Sequence, residues 1–288
     1  MNHPDYNSPV ELKNFLEANG LAMQKKFGQN FMVNGDARKK IVDSLQLVQD
    51  ELVWEVGPGL GCMTEEIINR GAKVSVFEID RGFINLLHQF FVENEKTGKF
   101  KIIEGDILKN WKKEFDSLEK KPSKLFGNLP YNIAATFIAD TITDGVFFDR
   151  CVFTVQKEVT QRIVAKAGTE NYSAFSVLCQ FAYDVKSGIE LAAGNFWPRP
   201  NVASQSVIMT KRENQFDCKN PSDFVKLVHA LFSARRKTVA NNIKSIFPPS
   251  VSIDDFFERA GISKSERAEN LSVNDFVALS NILTSVKM

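Results

Sequence analysis

The feature that most constrains the fold is a regular alternation of apolar runs and amphipathic runs between Leu52 and Val155. The apolar runs are LVWEV (52–56), KVSVFEI (73–79), FKIIEG (100–105), SKLFGN (123–128) and RCVFTVQ (150–156). Helical patterns such as MTEEIINR (63–70) and RGFINLLHQFFVE (81–93) stand between them. Strands that alternate with helices at this spacing predict an α/β fold with a parallel, doubly wound, Rossmann-like sheet.

The pattern changes after Val155. The stretches FAYDVKSGIEL (181–191) and ASQSVIMTKR (203–212) predict two antiparallel strands that close the sheet, and the chain from Pro221 onward is helical in pattern. A polar stretch, Glu213–Asn220, separates the two parts. We therefore expect a sheet domain over residues 1–213 and a small all-helical domain over residues 214–288.

Composition argues against several classes of protein. No apolar run approaches the roughly 18–20 residues of a membrane span, and the polar N-terminus has no signal-peptide core, so we expect a cytoplasmic protein. The four cysteines are scattered singly and do not cluster with the three histidines, which argues against a metal site or a disulfide framework. Because the net charge is only +1, any nucleic-acid contact would come from a local basic face.

A glycine-rich turn, EVGPGLG (55–61), follows the first predicted strand. Glycines at positions 57, 59 and 61 allow the backbone to turn sharply and to approach a ligand closely. Their G-x-G-x-G spacing differs from the G-x-G-x-x-G of dinucleotide binders, which disfavours a nicotinamide-dependent dehydrogenase. Taken alone, the turn is equally compatible with a tight connection between a strand and a helix.

Acidic residues end the next two predicted strands. Glu78 follows Gly57 by about twenty residues, the spacing at which a carboxylate accepts ribose hydroxyls in nucleoside-binding sheets. Asp106 ends the third strand, where it can accept a hydrogen bond from an adenine amino group. Because parallel strands end at one edge of a sheet, these three tips together predict a nucleoside site. S-adenosylmethionine fits this set, since it has a ribose and an adenine but no diphosphate.

The fourth strand tip carries Asn128-Leu129-Pro130-Tyr131, which contains no acid or base. An exocyclic aromatic amine such as adenine N6 is unprotonated at neutral pH, but its lone pair is delocalised into the ring. The Asn128 amide oxygen and the Leu129 carbonyl can accept the two N–H bonds of the amine and aim its lone pair at a methyl donor. Pro130 sets the turn, and Tyr131 can stack on a base taken out of its helix.

The order of these and other motifs resembles that of the small-subunit ribosomal RNA adenine dimethyltransferases (KsgA type). The matching stretches are KKFGQNFMV, WEVGPGLGCMTEEI, FEID, EGDIL, FGNLPYNIAATFI, TVQKEVTQRIVAKAGTENYSAFSVLCQF, FWPRPNVASQSVI, LFSARRKTVANNI and RAENLSV. The resemblance covers the chain from about Lys25 to the C-terminus. It implies a class I methyltransferase domain with a helical RNA-recognition domain. It also implies transfer of two methyl groups from S-adenosylmethionine to N6 of each of two adjacent adenosines, near the 3′ end of 16S rRNA in the 30S subunit.

The resemblance also implies roles for individual residues. The residues that match cofactor contacts are Asn30, Met32, Gly57, Glu78, Asp106 and Asn128, with Gln29 in the loop of Asn30 and Gly59 in the glycine turn. The residues that match the target-adenine site are Asn128, Leu129 and Tyr131, with Pro130 shaping the turn and Phe196 closing on the other face of the flipped base. Two places depart from the family pattern: Met32 stands where leucine is usual, and Trp197 and Arg199 replace a small residue and a proline.

Basic residues in two stretches are candidates for RNA contacts. Arg235, Arg236 and Lys237 stand together in SARRKTVANNI (233–243), and Lys157 and Arg162 lie in QKEVTQR (156–162). A charge run of this kind is often only a solvated face, but the resemblance indicates that these side chains bind phosphates. Lys25 and Lys26, beside the cofactor loop, are further candidates.

Three alternatives share some of these features. An adenine methyltransferase of the antibiotic-resistance type, which modifies 23S rRNA, has similar motifs, although QKEVTQR, FSARRKT and RAENLSV speak against it. An N6-adenine DNA methyltransferase can carry N-P-P-Y, but its tail would differ. A non-catalytic ribosome-assembly factor could keep the fold, yet the intact cofactor residues argue against that interpretation. We expect a monomer whose partner is the small ribosomal subunit and whose work belongs to ribosome biogenesis.

Overall fold

The computed structural model describes residues 3–21, 30–247 and 252–287, apart from the side chains of Tyr131 and Lys287. Contacts within the chain divide it into two compact units. Unit 1 comprises Met1–Ala134, Phe148–Lys157 and Ser187–Ile208, and unit 2 comprises Ala135–Phe147, Glu158–Lys186 and Met209–Met288. The domain boundary at residues 213/214, which we expect from the polar stretch Glu213–Asn220, stays a prediction.

The strands of the described chain are nine. In order they are β1 (Phe31–Met32), β2 (Leu52–Val56), β3 (Lys73–Glu78), β4 (Phe100–Glu104), β5 (Lys124–Asn128), β6 (Arg150–Gln156), β7 (Tyr183–Leu191), β8 (Phe196–Trp197) and β9 (Ser204–Lys211). β1 and β8 form a separate antiparallel ribbon, and the other seven form one sheet.

Helices connect these strands and make up most of unit 2. The helices of the described ranges are α1 (Pro9–Ala18), α2 (Gly35–Asp43), α3 (Cys62–Asn69), α4 (Arg81–Phe90), α5 (Val92–Lys96), α6 (Ile107–Ser117), α7 (Tyr131–Thr143), α8 (Lys157–Ile163), α9 (Ala174–Ala182), α10 (Pro221–Leu231), α11 (Val239–Asn242), α12 (Ile253–Ala260) and α13 (Val273–Lys287). Short 3₁₀ turns occur at Ala193–Asn195, Ile243–Ser245 and Ala268–Asn270. No helix in the described ranges combines the length and apolar character that a membrane span requires.

The seven-stranded sheet confirms the predicted α/β architecture. Its order is β4-β3-β2-β5-β6-β9-β7, and the first five strands pair in parallel. The chain winds from β2 outward to β4, then returns to the other side of β2 as β5 and β6, which is the doubly wound arrangement. Ligands of such sheets bind at the carboxyl ends of the strands, where the winding reverses between β2 and β5.

Burial explains why the central strands read as continuous apolar runs. β2, β3 and β6 are buried along almost their whole length, as expected for parallel strands covered on both faces. β4 lies at one edge of the sheet, and Phe100 is its one buried residue, while Lys101 and Glu104 are exposed. The predicted closing strands β9 and β7 are neighbours at the other edge.

Three element boundaries differ from the sequence-based expectation. The sequence pattern of FGNLPYNIAATFI favours a helix from Ala134 onward, but α7 begins at Tyr131, because the Pro130 carbonyl already accepts bonds from the N–H groups of Ile133 and Ala134. Phe181 and Ala182 belong to α9 rather than to the strand that begins at Tyr183. The single helix expected over 81–93 is divided at Phe91, which lies between the last residue of α4, Phe90, and the first residue of α5, Val92.

Unit 2 has an aromatic core. Phe181 of α9 stacks on Phe224 of α10, with ring centres 4.1 Å apart. Phe276 of α13 stacks on Phe232, which follows α10 directly. These rings bring together helices that are distant in sequence, and the phenylalanine-rich pattern of the tail therefore corresponds to packing between helices.

The core of unit 1 predicts a large stability loss for Trp54→Ala. The Trp54 ring is fully buried and lies 4.9 Å from the Phe77 ring, 5.9 Å from Phe115 and 5.8 Å from Phe148. The cavity left behind should lower the free energy of unfolding by about 3–5 kcal/mol. Urea titration followed by circular dichroism measures this, with exposed Val48→Ala as a control that should change it by no more than about 0.5 kcal/mol. A loss below about 1 kcal/mol for Trp54→Ala would contradict the packing described.

Candidate active site

A cavity of about 410 Å³ lies at the carboxyl edge of the sheet in unit 1. Its volume is within the range of roughly 300–1,000 Å³ that small-molecule sites occupy. Its wall includes Gly57 after β2, Glu78 at the end of β3, Asp106 after β4 and Asn128 at the end of β5. The structure therefore brings together the four strand tips that the sequence singled out.

The strand register explains why these residues lie at one level. Val56 pairs with Phe77 on one side and with Gly127 on the other. Gly57, Glu78 and Asn128 each follow one of these paired residues directly, so they leave the sheet at the same height. Their convergence is a consequence of parallel pairing and does not depend on the loops that follow.

Gly57 and Gly59 of the glycine turn are needed for different reasons. Gly57 has a φ of +69°, and a Cβ placed on it would meet nothing within 4 Å. This space beside the backbone opens onto the cavity wall and is available to a ligand. Gly59 has a φ of +57°, and its Cβ would lie 3.0 Å from the Phe31 ring. Gly59 is therefore needed for close packing, and Gly57 for access to the cavity.

Glu78 is buried and bonded to the backbone on both carboxylate oxygens. Oε1 accepts bonds from the N–H groups of Ile79 (2.8 Å) and Asp80 (2.9 Å), and Oε2 accepts one from Gly59 (3.2 Å). Burial raises the pKa of this carboxyl, while the three N–H donors act in the opposite direction. Acceptor capacity remains on Oε2, which has a second lone pair.

Asp106 caps the helix that follows β4. Its Oδ1 accepts a bond from the Leu108 N–H at 3.0 Å, and the side chain is partly exposed at the cavity wall. The bond to the helix N-terminus orients the carboxylate, and Oδ2 is not used by it.

Asn128 is held by the loop that precedes β1. Its Nδ2 donates a hydrogen bond to the Asn30 carbonyl at 3.3 Å, and both residues line the cavity. With the amino group engaged in this way, the amide oxygen is the group left to accept a bond. Leu129 follows in the wall, and its N–H donates to the Thr154 carbonyl on β6 at 3.3 Å. Pro130 is exposed at the same rim.

The residues of the FWPRP stretch lie in the β1–β8 ribbon. Phe196 pairs with Met32 and is buried in the core of unit 1. Met32 lines the cavity, but Phe196 does not. Trp197 pairs with Phe31 and stacks on its ring at 6.2 Å, and the bond from Trp197 to Pro198 is cis. Arg199 is exposed.

One cavity residue, Glu55, was missed by the sequence analysis. It is 1% exposed, lies in β2 and accepts a bond from Thr64 Oγ1 at 2.6 Å. Burial raises its pKa to about 8, despite the bond from Thr64. The sequence does contain an indication of this residue. An acid within the apolar run LVWEV would be buried, and because burial of a carboxyl is costly, its presence suggests a specific role.

Cys62 also lines the cavity, at the start of α3. Burial raises the pKa of its thiol to about 12, so the sulfur stays protonated and is a poor nucleophile at neutral pH. Among the described residues, no group of three or more His, Cys, Asp and Glu side chains could hold a metal ion.

The predicted RNA-binding residues lie in both units. In unit 1, Lys157 pairs with Glu190 at 2.8 Å. In unit 2, Arg162 lies 3.6 Å from Glu158, and Arg235 binds Glu269 at 3.2 Å and the Glu170 carbonyl at 2.8 Å. Arg236 and Lys237 are exposed in the turn between α10 and α11 and form no ion pair with a described residue.

Four predicted positions cannot be placed. Gln29, Lys25 and Lys26 lie outside the described residues, and so does the side chain of Tyr131. Their proposed contacts stay predictions.

Comparison with protein families agrees with this geometry. The model of the family described as ribosomal RNA adenine dimethylase matches residues 20–285. The chain belongs to this family. As an rRNA adenine dimethylase it has an established reaction class, the methylation of adenine in ribosomal RNA, and its cavity residues can be interpreted in that light.

Curated relatives of this dimethylase extend over almost its whole length. A protein of Treponema denticola named ribosomal RNA small subunit methyltransferase A is 47% identical over 283 residues, 97% of this chain and 96% of the relative. The protein of the same name from Treponema pallidum is 42% identical over 288 residues, and that from Borreliella burgdorferi is 38% identical over 284. Each match covers at least 96% of the relative.

Solved structures agree on the fold of the dimethylase. A dimethyladenosine transferase from Plasmodium falciparum superposes with a TM-score of 0.67 at 23% identity, covering 85% of this chain and 94% of that one. The 23S rRNA methyltransferase ErmE superposes with a TM-score of 0.59 at 17% identity, covering 88% of this chain and 99% of that one. At these identities the similarity shows a shared fold, that of a class I methyltransferase.

The buried Glu55 predicts a pH-dependent stability. Its pKa is about 8 in the folded protein against an ordinary 4.5, so between these values the folded state holds a proton that the unfolded state has lost. The free energy of unfolding should therefore fall as pH rises through this window, by at most about 1.4 kcal/mol per pH unit. In Glu55→Gln, which can keep the bond from Thr64, this fall should be absent.

Urea titrations at several pH values between about 5 and 8 measure the difference. Exposed Glu104→Gln serves as the control and should keep the wild-type pH dependence. Parallel curves for wild type and Glu55→Gln would show that the Glu55 carboxyl is already ionised.

Proposed function

We propose that this rRNA adenine dimethylase transfers methyl groups from S-adenosylmethionine to N6 of two adjacent adenosines near the 3′ end of 16S rRNA, dimethylating each. The observation that carries the proposal is the convergence of Gly57, Glu78, Asp106 and Asn128 on one cavity. The first three are groups that suit a nucleoside, and Asn128 suits an amine that needs orientation more than deprotonation.

The cavity residues fit the cofactor. The open space beside Gly57 allows close approach to the backbone, Glu78 Oε2 has capacity for ribose hydroxyls, and Asp106 offers a carboxylate oxygen to the adenine amino group. Asn30 and Met32 complete the wall on the side of β1. When bound, S-adenosylmethionine supplies an electrophilic methyl group with a neutral leaving group.

The tip of β5 orients the target amine. The bond from Asn128 Nδ2 to the Asn30 carbonyl turns the amide oxygen away from that loop, so the oxygen can accept one N–H of adenine N6. The Leu129 carbonyl directly precedes that of Pro130, which accepts the first N–H groups of α7. In this proposal the Leu129 carbonyl accepts the other N–H of the amine. Two acceptors hold the nitrogen toward pyramidal geometry, and catalysis is mainly positioning. Tyr131 would stack on the flipped base, whereas the predicted contact of Phe196 with that base would require its buried ring to leave the core of unit 1.

The relatives favour small-subunit RNA over large-subunit RNA. Proteins named small subunit methyltransferase A share 38–47% of their residues with this chain along nearly its whole length. The similarity to ErmE, at 17% identity, concerns the fold alone. We therefore propose the 30S subunit as the substrate of a cytoplasmic, monomeric enzyme of ribosome biogenesis, and keep the 23S rRNA as the alternative.

Basic side chains in both units are proposed to bind the RNA backbone. Arg236 and Lys237 are available directly, whereas Lys157, Arg162 and Arg235 would exchange carboxylate partners for phosphates. Exposed ion pairs of this kind contribute about 0–1 kcal/mol, so the exchange costs little. In this proposal residues 214–288 act as the RNA-recognition domain and residues 1–213 as the catalytic domain.

Replacing Glu78 should weaken cofactor binding. Glu78→Gln puts an amide where three backbone N–H groups require an acceptor, and we expect the Kd of S-adenosylhomocysteine to rise at least about tenfold. Glu104→Gln is the matched control, since Glu104 pairs with Glu78 across β3 and β4 but lies outside the cavity wall. Isothermal titration calorimetry measures both, and equal affinities for the two variants would contradict the assignment of Glu78.

Replacing Asn128 should abolish most methyl transfer. In Asn128→Ala the target nitrogen loses one acceptor, and misplacement on this scale costs about 10²-fold in rate. The assay incubates 30S subunits from a strain lacking this modification, and in parallel 23S rRNA and DNA, with protein and tritiated S-adenosylmethionine, then identifies the labelled nucleoside. Asn69→Ala, an exposed amide on α3, is the control and should retain full activity.

The outcomes of this assay separate the alternatives. N6,N6-dimethyladenosine in 16S rRNA, lost with Asn128→Ala, supports the proposal. Label in 23S rRNA or in DNA would keep the chemistry and overturn the substrate. Absence of label from every substrate, with S-adenosylhomocysteine still bound, would favour an assembly factor without catalysis.

A further inference from the structure

An N-terminal segment, residues 3–21, contacts the glycine turn of the cavity wall directly and reaches the Met32 carbonyl through Arg38 of α2. None of its residues lines the cavity, and the family match begins only at residue 20. Helix α1 anchors the segment through Leu12 and Leu16, which are buried in the core of unit 1. The polar contacts of the segment therefore need an explanation beyond hydrophobic packing.

Tyr6 binds the glycine turn. Its side chain is 4% exposed, and its hydroxyl donates a hydrogen bond to the Leu60 carbonyl at 2.8 Å. Leu60 stands between Gly59 and Gly61, which have positive φ angles of +57° and +83°. Because glycines restrict the backbone least, a turn of this composition depends on outside contacts for a single conformation. Burial raises the pKa of Tyr6, which keeps its hydroxyl a donor.

Arg38 binds the Met32 segment, residues 30–32, which ends in β1 and forms another part of the cavity wall. This arginine is 5% exposed; its Nη1 donates to the Met32 carbonyl at 2.8 Å and its Nη2 to Asn7 Oδ1 at 2.9 Å. Its guanidinium carbon lies 5.9 Å from the centre of the Tyr6 ring. Among the described residues no carboxylate pairs with Arg38, so these contacts are what offset the burial of its charge.

The Met32 segment also contacts the Asn128 amide. Met32 lies two residues after Asn30, whose carbonyl accepts the bond from Asn128 Nδ2. A shift of the Met32 backbone would therefore move both the cavity wall and the partner of Asn128. Tyr6 and Asn7 are adjacent in sequence. This pair therefore contacts the glycine turn directly and the Met32 segment through Arg38.

We infer that Tyr6, Asn7 and Arg38 form an N-terminal clamp, which positions the Met32 segment and the glycine turn and thereby sets the affinity for S-adenosylmethionine. This inference rests on the proposed function for the identity of the ligand. The clamp residues are positioning residues, since they touch the wall of the cavity from outside. If the binding-competent conformation is less populated without the clamp, the apparent affinity falls by the same fraction.

The test uses two substitutions in the full-length chain. Tyr6→Phe keeps the ring and removes the hydroxyl, and loss of one such hydrogen bond should raise the Kd of S-adenosylhomocysteine about 5-fold. Arg38→Lys keeps the charge, but an ammonium lacks the planar fork that binds Met32 and Asn7 together, and we expect about a 10-fold increase. Calorimetry gives the Kd, and thermal unfolding gives the stability of each variant.

Two control substitutions make the same chemical changes elsewhere. Tyr172→Phe alters an equally buried tyrosine of unit 2. Arg70→Lys alters an arginine that joins α2 and α3 through Asp43 and Glu66 and is absent from the cavity wall. Both should leave the Kd of S-adenosylhomocysteine unchanged, even where they lower the unfolding temperature.

Hydrogen exchange supplies a readout that does not need the ligand. In Tyr6→Phe the amide of Gly61, which donates to the Pro58 carbonyl at 2.9 Å, should exchange faster than in wild type, and the Tyr172→Phe control should not show this change. Unchanged affinity in both clamp variants, or an equal loss in the controls, would overturn the inference. If wild type itself fails to bind S-adenosylhomocysteine, the proposed cofactor is wrong, and unchanged exchange at Gly61 would then overturn the clamp as well.

Discussion

The site depends on the hydrogen bonds between the Glu78 carboxylate and the backbone. The carboxylate binds the N–H of Gly59 in the turn after β2 and those of Ile79 and Asp80 in the turn after β3. A buried carboxylate needs such donors, and a glycine turn needs a fixed partner, so each satisfies the other. The distance between two strand tips is thereby set before any ligand binds, and the cavity is largely formed in advance.

The charges of the cavity suit a cationic ligand. Glu55, Glu78 and Asp106 all face it, and no lysine or arginine of the described residues lines it. Burial keeps the first of these acids protonated near neutral pH in the ligand-free protein, which avoids repulsion between neighbouring carboxylates. A ligand that carries a sulfonium and an ammonium group would meet acids on several sides. Beside Asn128, by contrast, the wall offers amide and carbonyl oxygens, which orient an amine without exchanging protons with it.

The residues that we propose to bind the RNA differ in whether they already form an ion pair. Arg236 and Lys237 form no ion pair with a described residue, whereas Lys157 and Arg235 form ion pairs with Glu190 and Glu269. Such pairs place a carboxylate beside each basic group, as expected for a chain whose acidic and basic residues almost balance at a net charge of +1. A protein of this kind gains specificity from shape and from base flipping more than from a large basic surface, and phosphate contacts add a salt-dependent part of the affinity.

The fold and the four strand tips were determined by local features of the sequence. Strand periodicity, glycine spacing and the acids at positions 78 and 106 are each properties of a few adjacent residues, and parallel pairing brings strand ends together without further information. Sequence could not show that α7 begins at Tyr131, because that depends on which N–H groups the Pro130 carbonyl binds. It also could not show that Glu55 faces the cavity, or that Tyr6 and Arg38 meet loops up to 54 residues away. Contacts over such separations arise from the packing of whole elements, and only the tertiary structure decides them.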